Sequence, residues 1–225
     1  MLAVLVPSRG RPGNLRRLVD AIAATAQGDI RIYTYIDDDD PALGPYLDVL
    51  DATGIDYRIG PRVFYAAAVN DCAARAVKDG ADFLAMFGDD VLPGTPGWDQ
   101  MLTEALNGRL GVAYGSDGLE HKHGPDLPTH FVVPAEMYGR LGWIALPTIR
   151  HLFLDNVARE LGKGLGNFVY LPDVTLTHLH RWARLAPDDQ TYREANDKQR
   201  RELDRQAFVA WRDGDGYRAA MDALT

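Results

Sequence analysis

Residues 2–40 have the sequence LAVLVPSRGRPGNLRRLVDAIAATAQGDIRIYTYIDDDD. The run LAVLV is apolar up to Val6 and is followed by Pro7, which is typical of a strand buried inside a parallel sheet. Leu15, Leu18 and Ile22 then recur at helical spacing, and IRIYTYI forms a second apolar run before four consecutive aspartates. This order of strand, helix and strand predicts a right-handed βαβ unit.

The same alternation continues along the first half of the chain. Two further apolar runs, near 57–59 and 82–87, alternate with helical patterns near 41–53 and 64–78, and the alternation breaks down after Pro93. The remaining predicted elements are helices near 98–107, 151–162 and 188–212 and strands near 110–114, 130–133 and 167–171. The expected fold class is α/β, with a Rossmann-type sheet that is mixed but mainly parallel, flanked by helices and followed by a C-terminal helical extension.

The composition is that of an ordinary globular protein. The chain has 225 residues, of which 46% are apolar and 25% charged, and this length suits one large domain. Its net charge of −8 argues against nonspecific binding to nucleic acid. No apolar run approaches the ~18 to 20 residues of a membrane helix, and the start is too short for a signal peptide. We therefore expect a soluble cytoplasmic protein with no membrane partner, and its single Cys72 as a buried structural thiol.

Three polar clusters follow the predicted strands of the first half, at the point where each strand ends. They occupy residues 8–11, 37–40 and 89–90. Ligands of parallel α/β sheets bind at the carboxyl ends of the strands. These clusters are therefore the candidate binding residues.

The couplet Asp89-Asp90 is the sharpest of these features, because it follows a buried strand and Gly88 directly precedes it. Adjacent carboxylates behind a glycine form a suitable platform for Mg²⁺ or Mn²⁺ shared with phosphate oxygens. The alternative is a solvated turn with an aspartate cap before Pro93. The residues alone leave both interpretations open.

Four stretches together resemble the nucleotide-binding half of GT-A-fold glycosyltransferases, and in particular the inverting glycosyltransferase family 2-like superfamily. They are VPSRGRP after the first strand, YIDDDD after the second, YAAAVNDCAARA before the strand at 82–87 and FGDDV after it. The resemblance covers residues 2–92. It implies a catalytic domain over 1–180, with a nucleotide-binding half (1–92) and an acceptor half (93–180), and a charged helical extension over 181–225 packed on the same domain.

In that superfamily an aspartate motif written D-x-D binds the metal and the diphosphate of the sugar nucleotide. Here Gly88 stands where the first aspartate is often found. The resemblance therefore implies a Mn²⁺ or Mg²⁺ site at the couplet and leaves open whether Asp89 or Asp90 binds the metal directly, with Asp90 favoured.

The resemblance also implies a binding site for a nucleoside diphosphate sugar, with a UDP-type donor favoured. Besides Asp89, its implied members are Pro7, Ser8, Arg9, Arg11, Asp37 or Asp38, and Asn70. The chemistry agrees, because a carboxylate accepts the imino N–H of uracil or a ribose hydroxyl and an arginine fork suits a diphosphate. The alternative is a solvated loop for the aspartates and a bracing role within its helix for Asn70.

His178 and His180, in TLTHLH, are two residues apart, so on a strand both would point to one face. Related GT-A enzymes often supply a late histidine to the metal, and imidazole is a competent ligand. The resemblance therefore implies that one of the two, with His178 preferred, completes the metal site with Asp90 and Asp89. The alternative is a pair of hydrogen-bonded structural histidines.

Asp155, in RHLFLDNVARELG, follows an apolar triplet. Inverting members of the superfamily place an acidic residue about here to deprotonate the acceptor hydroxyl, and the resemblance implies that role for Asp155. The alternative is an aspartate that stabilises a helix N-terminus. Rival candidates for the base are Asp117, Glu120 and Asp126, and the Gly- and Pro-rich stretch 115–130, with His121, His123 and His130, is a candidate acceptor loop.

Two other nucleotide-binding patterns are missing. No G-x-G-x-x-G follows the first strand, and GKGLG at 162–166 lacks the Ser or Thr of a P-loop. The sequence predicts instead a metal-dependent glycosyltransferase that moves a sugar from a nucleoside diphosphate sugar to an acceptor hydroxyl with inversion. Two alternatives stay open, a sugar-nucleotide nucleotidyltransferase or pyrophosphorylase and a noncatalytic nucleotide-sugar or glycan-binding protein.

The acceptor and the role of the C-terminal segment are left open by the sequence. The acceptor needs a free hydroxyl, and a nucleic-acid acceptor stays among the options. The charged C-terminal segment has three open roles, namely formation of a homodimer, packing over the active site or contact with the acceptor.

Overall fold

The structure is a computed structural model that describes residues 1–123, 125–180, 185 and 189–225. The predicted acceptor loop at 115–130 and the predicted C-terminal segment at 181–225 therefore lie partly outside the described residues. The strands are β1 (Leu2–Leu5), β2 (Ile30–Asp37), β3 (Asp56–Gly60), β4 (Phe83–Met86), β5 (Val91–Pro93), β6 (Val112–Ser116), β7 (Phe131–Pro134) and β8 (Phe168–His178). The helices are α1 (Pro12–Thr25), α2 (Leu43–Thr53), α3 (Phe64–Lys78), α4 (Trp98–Ala105), α5 (Glu120–His123), α6 (Ala135–Leu141), α7 (Leu154–Gly164), α8 (Gln190–Ala195), α9 (Lys198–Asp213) and α10 (Asp215–Leu224).

Across the described ranges the strands form one eight-stranded sheet in the order β3-β2-β1-β4-β7-β6-β8-β5. β1 pairs in parallel with β2 and β4, and β2 pairs in parallel with β3. β7 runs antiparallel to β4 and β6, whereas β6 is parallel to β8 and β5 is antiparallel to β8. The expected fold class, a mixed but mainly parallel sheet flanked by helices, is confirmed. The alternation breaks down in the second half because β7 enters the sheet in the opposite direction.

Helices pack on both faces of the sheet, and each face has its own apolar core. On one face α3 buries Val69, Cys72 and Ala76. On the other face α1 buries Leu15 and Leu18, at the helical spacing read from the sequence. Fully burying an aliphatic side chain contributes ~1.5–3 kcal/mol. These two layers therefore hold β1, β2 and β4, whose ends carry the polar clusters.

The C-terminal helices belong to the core on the α3 face. Phe208 and Trp211 of α9 and Leu224 of α10 are buried in the cluster that also holds residues of α3, α6 and α7. Strand β8 is longer than the predicted strand at 167–171, because it continues to His178. The sequence patterns did not predict β5, α5, α6 or α10. No helix within the described ranges has the length and apolar composition needed to cross a membrane.

Candidate active site

The candidate site lies at the edge of the sheet where β1, β2 and β4 end. Because these strands are parallel neighbours, the residues that follow them meet at this edge. Ser8 extends the pairing beyond β1 through an isolated bridge to Ile36, and residues 88–90 form the turn after β4. A cavity of about 320 Å³ opens between these strand ends, the loop before α7, and α8 with the start of α9.

Most of the predicted site residues line this one cavity. They are Pro7, Ser8, Arg9, Arg11, Asp37, Asp89, Asp90, Asp155 and His178. Asp38 and Asn70 are not among the residues that line it. The fold thus brings together the ends of three strands, the start of α7 and the end of β8.

Asp89 is held by neighbouring side chains. Ser8 Oγ donates a hydrogen bond to Asp89 Oδ2 at 2.5 Å, and Arg11 Nη1 lies 3.4 Å from Oδ1. The Ser8 hydroxyl lies 2.5 Å from Tyr46 Oη as well. Burial, followed by the nearby charge of Asp90, raises the pKa of Asp89 to about 7. Asp89 therefore anchors the turn after β4 to the end of β1.

Asp90 is placed beside His178 and Arg11. Its Oδ2 lies 3.5 Å from His178 Nε2 and 3.5 Å from Arg11 Nη1. The pairing of β5 with β8 fixes this neighbourhood, because Val91 is in register with His178 and the N–H of Leu179 donates to Asp90 O at 2.7 Å. Burial acts to raise the pKa of Asp90, but the hydrogen bond from His178 and the surrounding positive groups hold it below its ordinary value. Asp90 is therefore the member of the couplet that stays ionised.

The chemistry around Asp90 fits a divalent cation. A Cβ on Gly88 would lie 2.5 Å from Asp90 Oδ1, so a larger residue would displace this carboxylate from its present position. His178 Nδ1 is buried and has no hydrogen-bond partner among the described residues. The same residues contain no cluster of three or more His, Cys, Asp or Glu side chains that could hold a metal ion by themselves. A cation here would share Asp90 and His178 with oxygens of a bound substrate, which is how Mg²⁺ is commonly held.

Arg9 and Asp37 form the wall of the cavity at the ends of β1 and β2. Arg9 Nη1 lies 2.8 Å from Asp37 Oδ2 and 2.5 Å from Asp39 Oδ1. Burial raises the pKa of Asp37, although Arg9 and Arg62 oppose the rise. Asp38 is exposed. Of the two candidate aspartates, Asp37 is the one that reaches the cavity.

Within the described ranges, the side chain of Asn70 contacts the segment after α6, not its own helix or the cavity. Its Oδ1 accepts hydrogen bonds from the N–H groups of Ile144 and Ala145, at 2.9 and 3.0 Å. Its Nδ2 donates to Ala145 O at 2.7 Å. The side chain therefore fixes the segment after α6 onto α3, on the outside of the cavity.

Of the four candidate bases, all within the described ranges, only Asp155 lines the cavity. It lies in the first turn of α7, where its Oδ1 accepts a hydrogen bond from the N–H of Asn156 at 2.8 Å. The other three candidates form contacts with other residues. Asp117 contacts Leu119 and Thr129, Glu120 contacts Tyr170, and Asp126 contacts Lys163. Asp155 is therefore the one carboxylate of these four that reaches the cavity.

Histidine rings line the wall beside Asp90. The ring centroids of His130 and His178 are 4.8 Å apart, and those of His178 and His180 are 4.9 Å apart. All three rings line the cavity. Strand β8 ends at His178, so the two late histidines are not on one strand face as predicted, yet their rings still touch. His121, in the candidate acceptor loop, is exposed.

The loop before α7 brings residues to the cavity that the sequence did not identify. Phe153 has φ of 70°, a left-handed backbone that a bulky residue rarely adopts, at the turn that leads to Asp155. His151 packs on the ring of Tyr65 at 5.0 Å, and burial lowers its pKa, which favours the neutral imidazole. Tyr65 Oη donates to Phe87 O at 3.1 Å. No local pattern signals a left-handed phenylalanine, so this loop could not be predicted.

The C-terminal helices form the outer wall of the cavity. Thr191 Oγ1 donates to Arg9 O at 2.9 Å, and Glu194 pairs with Arg62. Gly10 packs closely against this segment, because a Cβ there would lie 3.2 Å from Thr191 Oγ1. Of the three roles left open for this segment, the described contacts support packing over the site.

Comparisons with protein-family models and with curated proteins found no match. The fold, in contrast, is shared with solved structures of glycosyltransferases. The mannosyltransferase PcManGT from Pyrobaculum calidifontis, in complex with GDP-Man and Mn²⁺, matches with a TM-score of 0.64 and 11% identity, over 99% of this chain and 73% of its own.

Two further structures show the same similarity. TarS 1–349 from S. aureus, in complex with UDP-GlcNAc, matches with a TM-score of 0.55 and 8% identity, over 95% of this chain and 73% of its own. Glucosyl-3-phosphoglycerate synthase from Mycobacterium tuberculosis, in complex with Mn²⁺, UDP and phosphoglyceric acid, matches with a TM-score of 0.55 and 12% identity. The match covers 80% of this chain and 71% of the synthase. This chain therefore has the GT-A fold.

Proposed function

We propose that this protein is a glycosyltransferase that moves a sugar from a nucleoside diphosphate sugar to an acceptor hydroxyl. The observation that carries the proposal is the convergence of Asp90, His178 and Asp155 in one cavity at the strand ends. The first two suit a cation shared with a diphosphate, and the third suits a general base. Structures of the same fold hold GDP-Man, UDP-GlcNAc or UDP, which supports the same class of reaction.

The donor's nucleoside is assigned to the wall formed by Pro7, Arg9 and Asp37. A carboxylate such as that of Asp37 accepts the imino N–H of uracil or a ribose hydroxyl, which favours a UDP-type donor. Arg11 lies 3.5 Å from Asp90 and offers a guanidinium to a phosphate oxygen beside it. Donor binding in this orientation would direct the diphosphate towards Asp90.

Asp90 and His178 are the proposed ligands of a divalent cation, Mn²⁺ or Mg²⁺. When bound, such an ion supplies Lewis-acid stabilisation of the charge that develops on the departing diphosphate. Asp89 supports this site from behind by its hydrogen bond with Ser8, and Gly88 keeps the backbone clear of the Asp90 carboxylate.

Asp155 is the proposed general base. A sugar hydroxyl is a weak nucleophile at neutral pH, and an aligned base contributes ~10²–10⁴ in rate. The Asp155 carboxylate takes the hydroxyl proton while the acceptor oxygen forms a bond to the anomeric carbon. The bond from that carbon to the diphosphate breaks, and the nucleoside diphosphate leaves with the electron pair. Attack opposite the leaving group inverts the configuration at this carbon.

Incubation of the protein with Mn²⁺ and a panel of sugar nucleotides tests the proposal. Slow release of free sugar and nucleoside diphosphate from one donor is the expected result, because water replaces the missing acceptor. Pyrophosphate-dependent exchange would indicate a pyrophosphorylase, and donor binding without turnover would indicate a binding protein. Either result would contradict the proposal.

A further inference from the structure

Three arginines surround one aromatic ring inside the cavity. The guanidinium carbons of Arg62, Arg150 and Arg200 lie 5.5, 5.0 and 5.6 Å from the ring centroid of Phe64. All four residues line the cavity. Cation–π contact with the ring stabilises each guanidinium, but the three positive charges gathered around one ring repel each other. In a chain whose net charge is −8, this local concentration of positive charge calls for a counter-charge.

One of the three arginines has no ion pair with a described carboxylate. Glu194 is shared, because it pairs with Arg62 and its Oε2 also lies 4.0 Å from Arg200 Nη1. Arg62 Nε also lies 3.8 Å from Asp37 Oδ2, but that carboxylate already pairs with another arginine. Arg150 is exposed and forms no ion pair with any described carboxylate. An external anion can therefore neutralise the Arg150 guanidinium, which no described carboxylate pairs with.

The backbone of Arg150 is held in the loop that leads to Asp155. Asp204 is buried, and its carboxylate accepts hydrogen bonds from the N–H groups of residues 150, 151 and 152 at 2.9, 3.0 and 2.9 Å. Arg150 thus lies on the loop that leads into α7 and Asp155. Arg200 and Asp204 are both on α9. Helix α9 therefore carries Arg200 and, through Asp204, holds the loop that contains Arg150 and leads to Asp155.

The cluster is also open to solvent. Arg150 and Arg200 line a second, open depression of about 680 Å³ on the other side of Glu194, and Leu203 forms part of its wall. A ligand can therefore reach these two arginines from outside while another part of it enters the cavity. This is the direction from which an acceptor must approach if the strand ends hold the donor.

We propose that Arg150 and Arg200, assisted by Arg62, form an anion subsite for the acceptor, and that the acceptor is a small hydroxyl compound carrying a phosphomonoester. The inference rests on the proposed function and names its substrate class. Guanidinium forks bind phosphate oxygens in pairs, and more than one arginine suits a dianion. A polynucleotide fits less well, because a chain with a net charge of −8 repels the further phosphates that would lie beyond the three arginines.

The test measures the binding of inorganic phosphate by calorimetry to protein saturated with UDP and Mg²⁺, so that the donor site is already filled. We expect Arg150→Gln and Arg200→Gln each to weaken phosphate binding about tenfold, the equivalent of one lost charge-assisted hydrogen bond. Arg16→Gln is the matched control, because Arg16 is an exposed arginine paired with Asp20 on α1 and should leave phosphate binding unchanged. Melting temperatures verify that each variant is folded.

Two results would overturn the subsite. One is phosphate affinity that neither substitution changes, and the other is a loss of UDP affinity equal to the loss of phosphate affinity, which would assign the arginines to the donor. An oligothymidylate that binds more tightly than phosphate, with the same dependence on Arg150, would overturn the phosphomonoester class. If UDP does not bind at all, the proposed function fails, yet titration of phosphate alone into the same variants still decides the anion subsite.

Transfer assays give a second readout. Glycerol 3-phosphate and glycerol, which differ only in the phosphate, are compared as acceptors with the donor found in the panel. We expect the phosphorylated compound to be the better acceptor in wild-type protein and Arg150→Gln to reduce this preference. An equal preference in wild-type and Arg150→Gln protein would contradict the proposal.

Discussion

Arg11, which lines the cavity, and Asp189, which is 178 residues away in the chain, form a two-point ion pair. Arg11 Nε lies 2.6 Å from Asp189 Oδ2, and Nη2 lies 2.8 Å from Oδ1. Asp189 also caps α8 by accepting a hydrogen bond from the N–H of Tyr192 at 2.7 Å. Burial acts to lower the pKa of Arg11, but Asp189, Asp89 and Asp90 together raise it above its ordinary value. The Arg11 guanidinium therefore links Asp89 and Asp90 to the C-terminal helices.

The substitution Asp189→Asn tests this link. Asparagine keeps an oxygen that can cap α8 but removes the charge that pairs with Arg11. A partly buried two-point pair contributes ~1 kcal/mol, so we expect amide hydrogen exchange in α8 to become about fivefold faster. Asp197→Asn is the control, because Asp197 caps α9 through the N–H of Arg200 and forms no ion pair with any described residue. Unchanged exchange in α8 of the Asp189 variant would contradict the link.

Asp155→Asn should separate binding from chemistry. The amide fills the same volume but cannot take a proton, so we expect the transfer rate to fall at least about tenfold and up to ~10⁴-fold while donor affinity persists. Steady-state kinetics and donor titration provide the two measurements. Glu160→Gln serves as the control on the same helix, where Glu160 pairs with Arg159. Full transfer activity in the Asp155 variant would place the base elsewhere.

The ends of the first strands can be predicted from sequence because the signal there is local. An apolar run that stops at a polar cluster marks the carboxyl end of a buried parallel strand, and neighbouring strands of this kind end at one edge. The sequence pattern therefore predicts that Ser8, Asp37 and Asp90 lie together. It does not separate Asp37 from Asp38, since exposure depends on how the chain turns after β2.

The rest of the site depends on contacts that no local pattern encodes. His178 reaches Asp90 because β5, a strand of three residues, pairs with β8 in one register. The sequence resemblance predicts a ligand contact for Asn70, but its side-chain amide forms hydrogen bonds with the backbone at 144–145. The arginines that surround Phe64 come from three separate stretches of the chain. Such tertiary contacts are visible only in the folded structure.

The pKa of Asp89 leads to a pH-dependent stability that can be measured on metal-free protein. Its value is raised from an ordinary 3.8 to about 7, so between these values the folded state keeps a proton that the unfolded state has lost. Stability therefore falls as pH rises through this window. Asp89→Asn removes this titration. We expect the melting temperature of the variant minus that of the wild type to increase between about pH 5 and about pH 8. A difference that stays constant over this range would contradict the assignment.

Gly88→Ala should damage the site through sterics alone. The added Cβ would lie 2.5 Å from Asp90 Oδ1 and must displace that carboxylate. We expect UDP affinity in Mn²⁺ to fall at least about tenfold in calorimetry, with the fold retained. Gly13→Ala is the matched control, because nothing lies within 4 Å of its added Cβ. Wild-type UDP affinity in the Gly88 variant would show that the position of Asp90 does not matter.

The most direct test of a cation shared between Asp90 and a diphosphate is calorimetric titration of UDP into wild-type and Asp90→Asn protein, each with Mn²⁺ and with EDTA. We expect Mn²⁺ to tighten UDP binding at least about tenfold in the wild type and to have no effect on the folded Asp90 variant. Asp126→Asn, with its substitution in an exposed ion pair, should behave like the wild type. Equal UDP affinity of wild-type and Asp90→Asn protein in Mn²⁺ would contradict the shared cation.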